Sequence, residues 1–315
     1  MTAFDLDALS RRNLIAGAGA AGLAATLPSL ASAAAAAGPI LTKPIPVSGE
    51  RMPVIGIGTA IIFDFQNDPA KLAERKAVVT NMVAGGAKLI DTAPSYGNAE
   101  VIVGEVVADL KVRDKLFLAT KVPAQAARDT KEASLAASQQ RMRTDRFDLM
   151  QAWNVSDANL DLTQLREWKA AGKCRYWGIT SSFDTAYPAL IQVLRRERPD
   201  FFQINYSLGD RDAEAQLLPV AQEVGCAVLT NLPFGRNSLF AKTRGMALPG
   251  WAAEIGATSW AQVFLKFLVS HPAVTAVIPG TDKPEYMLDN LAAGRGPMPD
   301  AAMRRRMVEW WTSLA

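Results

Sequence analysis

The chain has 315 residues, 49% hydrophobic and 21% charged, with a formal charge of only +3. That composition suits one large globular domain or two small ones and excludes a disordered chain. No basic stripe is interleaved with aromatics, which argues against nucleic acid, and one histidine with two cysteines leaves no histidine-rich metal centre.

Residues 1–33 read as an address rather than as fold. Ser10-Arg11-Arg12-Asn13-Leu14-Ile15 fits the twin-arginine export pattern, a weakly hydrophobic Ala/Gly stretch follows to Leu30, and Ala31-Ser32-Ala33 fits the small-residue cleavage rule. A signal peptide is therefore expected over 1–33 and a mature domain over 34–315, delivered by the twin-arginine machinery to the periplasm or beyond. Pro28 and the glycines make a permanent membrane anchor the poorer reading. The twin-arginine route carries folded proteins, so a cofactor can be loaded in the cytoplasm before transport.

Residues 40–53 hold two extended pieces around Ser48-Gly49-Glu50, which predicts a β-hairpin ahead of the main fold. The first strand is read over 54–58, and a helix over 69–84 with Asp68 as cap and Pro69 in its first turn. A second strand at 88–91 precedes a helix at 99–110, whose stripe is Val101, Val103, Val106, Val107 and Leu110. Strand three is read at 116–121, its helix at 129–142, strand four at 147–153, and a helix at 162–171 stopped by Gly172. The rhythm repeats with strands at 175–180 and 201–205 and helices at 185–196 and 214–224. Strand seven at 227–231 is followed by a polar loop with Gly and Pro over 232–256, then a helix at 259–269. Strand eight at 274–278 and a helix at 284–293 complete the pattern. A terminal helix at 299–314 is expected to lie as a lid over one end, with Arg304, Arg305 and Arg306 on a solvated face. Cys174 and Cys226 read as unpaired core residues, and His271 as part of a helix-to-strand turn.

Eight strand–helix units predict an α/β fold, a single (β/α)8 TIM barrel with an N-terminal hairpin plugging its bottom and an extra C-terminal helix. A doubly wound sheet would carry a third glycine and a helix directly behind Gly56-Ile57-Gly58, and Thr59 follows instead.

Polar residues then gather at one end of that barrel. Asp91 ends strand two, Lys121 ends strand three, and Tyr96 hangs from the loop between them. An ammonium beside a phenol stabilises the phenolate, and a carboxylate beside the lysine keeps it charged and oriented. Tyr96 is thereby the candidate general acid, able to protonate a developing alkoxide.

The chain carries, in order, Gly56-Ile57-Gly58-Thr59, Asp91-Thr92-Ala93-Pro94-Ser95-Tyr96-Gly97, Ala119-Thr120-Lys121-Val122, Gly178-Ile179-Thr180-Ser181, Gln203-Ile204-Asn205-Tyr206-Ser207 and Val277-Ile278-Pro279-Gly280-Thr281. By these pieces it resembles the aldo-keto reductases over nearly the whole mature chain. The resemblance implies reduction of a small aldehyde or ketone by NADP(H), with NAD(H) as the alternative, and Asp91, Tyr96 and Lys121 in the catalytic group. It places Thr180, Ser181 and Gln203 around a nicotinamide, and Leu232, Phe234 and Gly235 beside a pyrophosphate. Gly58, Thr59, Asp91, Pro279, Gly280 and Thr281 are further cofactor positions, with Asp289 and Asn290 toward the adenine.

Two departures accompany the resemblance. Relatives carry a histidine near the end of strand four that orients the substrate carbonyl, and Trp153 stands in its place. Alternation from Leu149 through Gln151 sends Trp153 inward, where its indole donates a hydrogen bond but cannot titrate. A local bulge bringing Asn154 inward is the other arrangement considered. At the adenosine end, where many relatives use a Lys and an Arg for the 2′-phosphate, the counterparts are Gly280 and Tyr286, which leaves Lys283 as the cation. The rival expectation is a dinucleotide-binding or protein-interacting relative weakened in catalysis, favoured by Trp153 and by export.

Overall fold

The computed structural model describes residues 38–314. The segment read as an export signal lies outside the described residues. Among those described, no helix is long and apolar enough to cross a membrane.

The chain enters through an antiparallel pair, β1 (Thr42–Pro44) and β2 (Arg51–Pro53). Eight parallel strands follow: β3 (Ile57–Gly58), β4 (Leu89–Asp91), β5 (Phe117–Pro123), β6 (Phe147–Trp153), β7 (Cys174–Thr180), β8 (Phe201–Asn205), β9 (Ala227–Asn231) and β10 (Val274–Val277). Bridges from Ile55 to Val277 and from Gly58 to Gly280 bring the first strand against the last and close the ring. The segment from Val54 thus joins the barrel as expected, although ladder pairing with β4 is confined to Ile57 and Gly58.

Helices cover the ring from outside. They are α1 (Pro69–Ala84), α2 (Ala99–Leu110), α3 (Arg128–Met142), α4 (Thr163–Ala170), α5 (Tyr187–Glu197), α6 (Leu217–Glu223), α7 (Ser238–Lys242), α8 (Trp260–Val269), α9 (Pro284–Ala293) and α10 (Ala301–Ser313). Capping follows the sequence signals: Asp68 accepts from Lys71 N at the start of α1, and Ser259 from Gln262 N at the start of α8. The short α7 and a 3-10 turn at Gly250–Ile255 lie within the segment read as loop.

Period-two alternation divides each strand between two cores. Inward positions of the barrel strands, among them Leu89, Phe117, Leu149, Tyr176, Phe201, Leu229 and Ile278, form one buried cluster with Ile45 and Met52 of the hairpin. The hairpin therefore plugs the end where the strands start, and burying each of those two side chains contributes about 1.5–3 kcal/mol. Glu50 fastens the plug. It accepts from Lys88 Nζ at 2.6 Å, from Tyr176 Oη at 2.9 Å and from Arg175. With that end filled, the opposite mouth, at the strand C-termini, is left for a ligand.

The terminal helix is not a lid. Trp310 stacks on Trp260, Trp311 meets the edge of Phe264, and the Arg304 guanidinium lies over Phe267. Those contacts run antiparallel along α8, so α10 seals the flank of the barrel. Arg304 is not a solvated residue either, for it donates to the Phe267 carbonyl, to Tyr206 Oη at 2.8 Å and to Glu214 at 2.9 Å. Arg305 and Arg306 are the exposed members of that run. The two cysteines are unpaired and buried, as expected.

Candidate active site

The mouth is built from inward-facing strand-end residues. Asp91, at the end of β4, is almost fully buried, and so is Lys121, two residues before the end of β5. Lys121 Nζ lies 2.7 Å from Asp91 Oδ2 and donates to the Thr92 carbonyl at 2.7 Å. The same ammonium sits 5.1 Å from the centre of the Tyr96 ring. Burial alone would push the Lys121 ammonium down, but the facing Asp91 carboxylate and the Tyr96 phenol outweigh it and hold the lysine above its ordinary value. The three residues brought together on paper are therefore together in space.

Two amides complete the ring around Asp91. Gln151 Nε2 donates to Asp91 Oδ1 at 3.2 Å from β6, and Gln203 Nε2 donates to Asp91 Oδ2 at 3.3 Å from β8. Gly58 and Thr59 close the near side: the Thr59 amide and Oγ1 both donate to the Asp91 carbonyl at 3.1 Å. A Cβ on Gly58 would stand 2.9 Å from the Ile278 carbonyl oxygen, so this position is restricted to glycine by close approach.

Trp153 faces the same interior. The pairing of β6 with β5 and β7 runs without a shift through Pro123↔Trp153 and Trp153↔Thr180. That continuity rules out the bulge that would have brought Asn154 inward. Asn154 instead leaves the strand at a φ of 60°, its carbonyl accepting from Gln125 Nε2 at 2.8 Å. Trp153 Nε1, Gln151 Oε1, Gln203 Oε1 and Asn231 Oδ1 are all buried without a partner. Buried polar atoms in native proteins are nearly always satisfied, so four such atoms on inward strand positions point to a polar ligand at this mouth.

The remaining expected positions ring the mouth's edge. Thr180 and Ser181 are buried at the end of β7. Leu232 and Gly235, both at positive φ, shape the turn after β9, with Phe234 against the Phe240 ring at 4.8 Å. At the last strand, the Pro279 carbonyl accepts from Gly58 N and from Thr281 Oγ1, and Thr281 Oγ1 accepts from Asn290 at 2.9 Å. Asp289 takes hydrogen bonds from Ser259 and Gln262, both at 2.6 Å. Gly280 and Lys283 are exposed there, with Lys283 Nζ 5.8 Å from the Tyr286 ring centre.

Arg75 escaped the sequence reading. It is 4% exposed, donates to the Ile62 carbonyl at 2.8 Å and to the Asp282 carbonyl, and so ties the loop after β3 to the turn after the last strand. Nothing in its helical context sets it apart from a surface arginine. Gln151 was legible only as a step in the alternation, although an amide on an inward strand position is itself the signal. A cleft of about 900 Å3 lined by Arg113, Arg143, Asp148 and Arg175 lies by the opposite end of the barrel, where Asp148 pairs with both Arg113 and Arg175. The Asp148 carboxylate is thereby spent on those two guanidiniums. Among the described residues no cluster of His, Cys, Asp and Glu is able to hold a metal ion.

The chain is similar to known proteins in sequence and in fold. A model described as the aldo/keto reductase family matches residues 54–306. Methylglyoxal reductase YeaE of Escherichia coli K12 is 32% identical over 249 residues, which covers 75% of this chain and 84% of that protein. Aldo-keto reductase str7 of Strobilurus tenacellus is 26% identical over 258 residues, 70% of this chain and 76% of its own. Among solved structures, an aldo/keto reductase from Klebsiella pneumoniae in complex with NADP and acetate has a TM-score of 0.71 at 24% identity, over 84% of this chain and 93% of that one.

Proposed function

The chain belongs to the aldo/keto reductase family, and on that premise we propose that it reduces the carbonyl of a small aldehyde or ketone to the alcohol with NADPH. The observation that carries the reading is the buried Lys121–Asp91 pair beneath the Tyr96 ring. A bound nicotinamide dinucleotide would supply the hydride. The residues present fit such a group: Gln203 and Asn231 offer unpartnered buried acceptors, and the turn after β9 carries left-handed residues at Leu232, Gly235, Arg236 and Asn237. Thr180, Ser181 and Gln203 would hold the ring end, Gly235 and its neighbours the pyrophosphate, and Lys283 the 2′-phosphate.

The chain's own residues then manage the proton. Tyr96 donates from its hydroxyl to the oxygen of the reacting carbonyl. Lys121, kept charged by Asp91, stabilises the phenolate that remains. Gln151 and Gln203 fix both carboxylate oxygens of Asp91 and thereby the direction of the ammonium. Trp153, in the place of a histidine, would orient the carbonyl through Nε1 without taking part in proton transfer. Its bulk favours small or flat substrates. Export through the twin-arginine route, with the dinucleotide loaded beforehand, is part of the same proposal.

Tyr96→Phe tests the assignment. Reduction of every accepted aldehyde should disappear while NADPH still quenches the protein's tryptophan fluorescence. Unchanged turnover in that variant would remove Tyr96 as the proton donor. Trp153 also favours a second reading, a dinucleotide-binding protein of feeble catalysis. Single-turnover mixing of the NADPH complex with an aldehyde panel separates the two, because only the reductase oxidises the dinucleotide.

A further inference from the structure

Two asparagines at the ends of neighbouring strands form a relay whose direction is set by a backbone carbonyl. Asn205 ends β8 and Asn231 ends β9, and the two stand opposite each other in the ladder. Asn205 Nδ2 donates to the Ser182 carbonyl at 3.2 Å. A carbonyl only accepts, so the nitrogen side of the Asn205 amide must face Ser182 and its oxygen must face away. That oxygen accepts from Asn231 Nδ2 at 2.6 Å. The Asn231 amide is oriented in turn, and its Oδ1 is left pointing away from Asn205, buried and without a partner.

Alternation places this oxygen at the mouth. Asn231 follows Ala227 and Leu229 on the inward face of β9, both in the barrel's interior cluster. Asn205 shares its face with Gln203, which reaches Asp91. A buried amide oxygen with no partner costs about 1–3 kcal/mol of desolvation, a cost relieved when a donor arrives.

We propose that Asn231, aimed by Asn205, is a recognition residue whose Oδ1 accepts a hydrogen bond from an N–H or O–H of the molecule bound at the barrel mouth. If the mouth is the dinucleotide and carbonyl site proposed above, on which this assignment rests, the donor has two sources. One is the carboxamide NH2 of the dinucleotide, and the other is a hydroxyl next to the substrate carbonyl. The residue touches the ligand, and Asn205 acts through it as a positioning residue.

The test uses the full mature chain and reads binding separately from turnover. The dissociation constant of NADPH is measured by tryptophan quenching for the wild type and for Asn231→Ala, Asn205→Ala and Asn205→Asp. Thermal melting confirms that each variant folds. With a dinucleotide donor, Asn231→Ala weakens NADPH about three- to tenfold. The wild type then loses a similar factor toward the analogue whose carboxamide is an acetyl group, and the variant does not. With a substrate donor, NADPH binding is untouched, and KM for 2-hydroxypropanal rises three- to tenfold relative to propanal at constant kcat. In either case Asn205→Ala gives a smaller loss of the same kind. Asn205→Asp still accepts from Asn231 but sets a carboxylate oxygen against the Ser182 carbonyl, so it melts lower than the wild type yet keeps more recognition than Asn205→Ala, a split that a merely structural role would not produce. An Asn231→Ala variant that keeps its NADPH affinity and its hydroxyaldehyde KM overturns the proposal. A wild type that NADPH does not quench defeats the reductase reading itself, and is thereby a distinct failure.

Discussion

Gly178 stands directly across from Gln151 in the ladder between β6 and β7, and the chain has no room there for anything larger. A Cβ at position 178 would lie 2.7 Å from the Phe201 carbonyl oxygen and 3.3 Å from Gln151 Cγ. The missing side chain is what lets Gln151 lie across the barrel and reach Asp91. Gly178→Ala should therefore cost about 1–3 kcal/mol through overpacking, seen as a lower urea midpoint, and should also displace Gln151. Gln151→Leu separates the two effects. It removes one donor to Asp91 without crowding, and should lower kcat by about five- to thirtyfold with little change in KM. A Gln151→Leu enzyme of full kcat would show that Asp91 needs no second holder.

Lys121 and Asp91 form a buried ion pair, and such pairs are costly to break from one side. Lys121→Met leaves the Asp91 charge with only the two glutamine amides, and should destabilise the fold by about 3–5 kcal/mol. The double variant Lys121→Met with Asp91→Asn removes both charges and should recover most of that loss. It should remain inactive. Equal denaturation midpoints for the single and double variants would show that the charges are not coupled in the fold.

How much of this was legible in advance follows from what each residue depends on. Asp91, Lys121 and Tyr96 lie within one strand–helix unit of each other, so period-two alternation and strand-end position were enough to bring them together. Helices α1, α2 and α9 had their bounds written in proline, cap and stripe, although on α2 Val101 of the expected stripe is exposed and Ile102 is buried in its stead. The course of α10 was not legible, because an amphipathic helix does not reveal which surface its apolar side will find. Trp310 on Trp260 and Arg304 on Phe267 decide that question, and both are contacts between residues far apart in the chain. Arg75 and the Asn205–Asn231 relay were hidden for the same reason: their meaning lies in distant carbonyls at Asp282 and Ser182.

Trp153 carries a prediction in the opposite direction. Its unbroken register with Thr180 keeps Trp153 on the inward side of β6, with Nε1 buried and unpartnered. Trp153→His exchanges a fixed donor for one that titrates near pH 6.5. Turnover of small aldehydes should rise roughly ten- to a hundredfold, and the pH profile of kcat should gain a step in that range. A variant with neither change would mean that the tryptophan already supplies all the orientation the carbonyl requires.

His271 offers a stability switch at the far end of the barrel. Its Nδ1 accepts from Ala273 N at 3.1 Å, its ring meets Tyr206 edge-on, and Lys43 Nζ donates to its carbonyl at 2.7 Å. Burial pushes its pKa down to about 4, with Arg304 and Lys43 acting in the same direction, and Glu214 is the acid that pairs with Arg304. The folded value lies below the unfolded value of about 6.5, so the unfolded chain binds more protons between them. Stability held at neutral pH is thus lost as pH falls from about 6.5 toward 4, and the loss levels off below that. His271→Asn keeps an acceptor for the Ala273 amide and does not titrate. Urea unfolding at successive pH values should show the variant gaining on the wild type across this window as pH falls, and parallel curves would mean that His271 binds its proton equally well in the folded and unfolded chain.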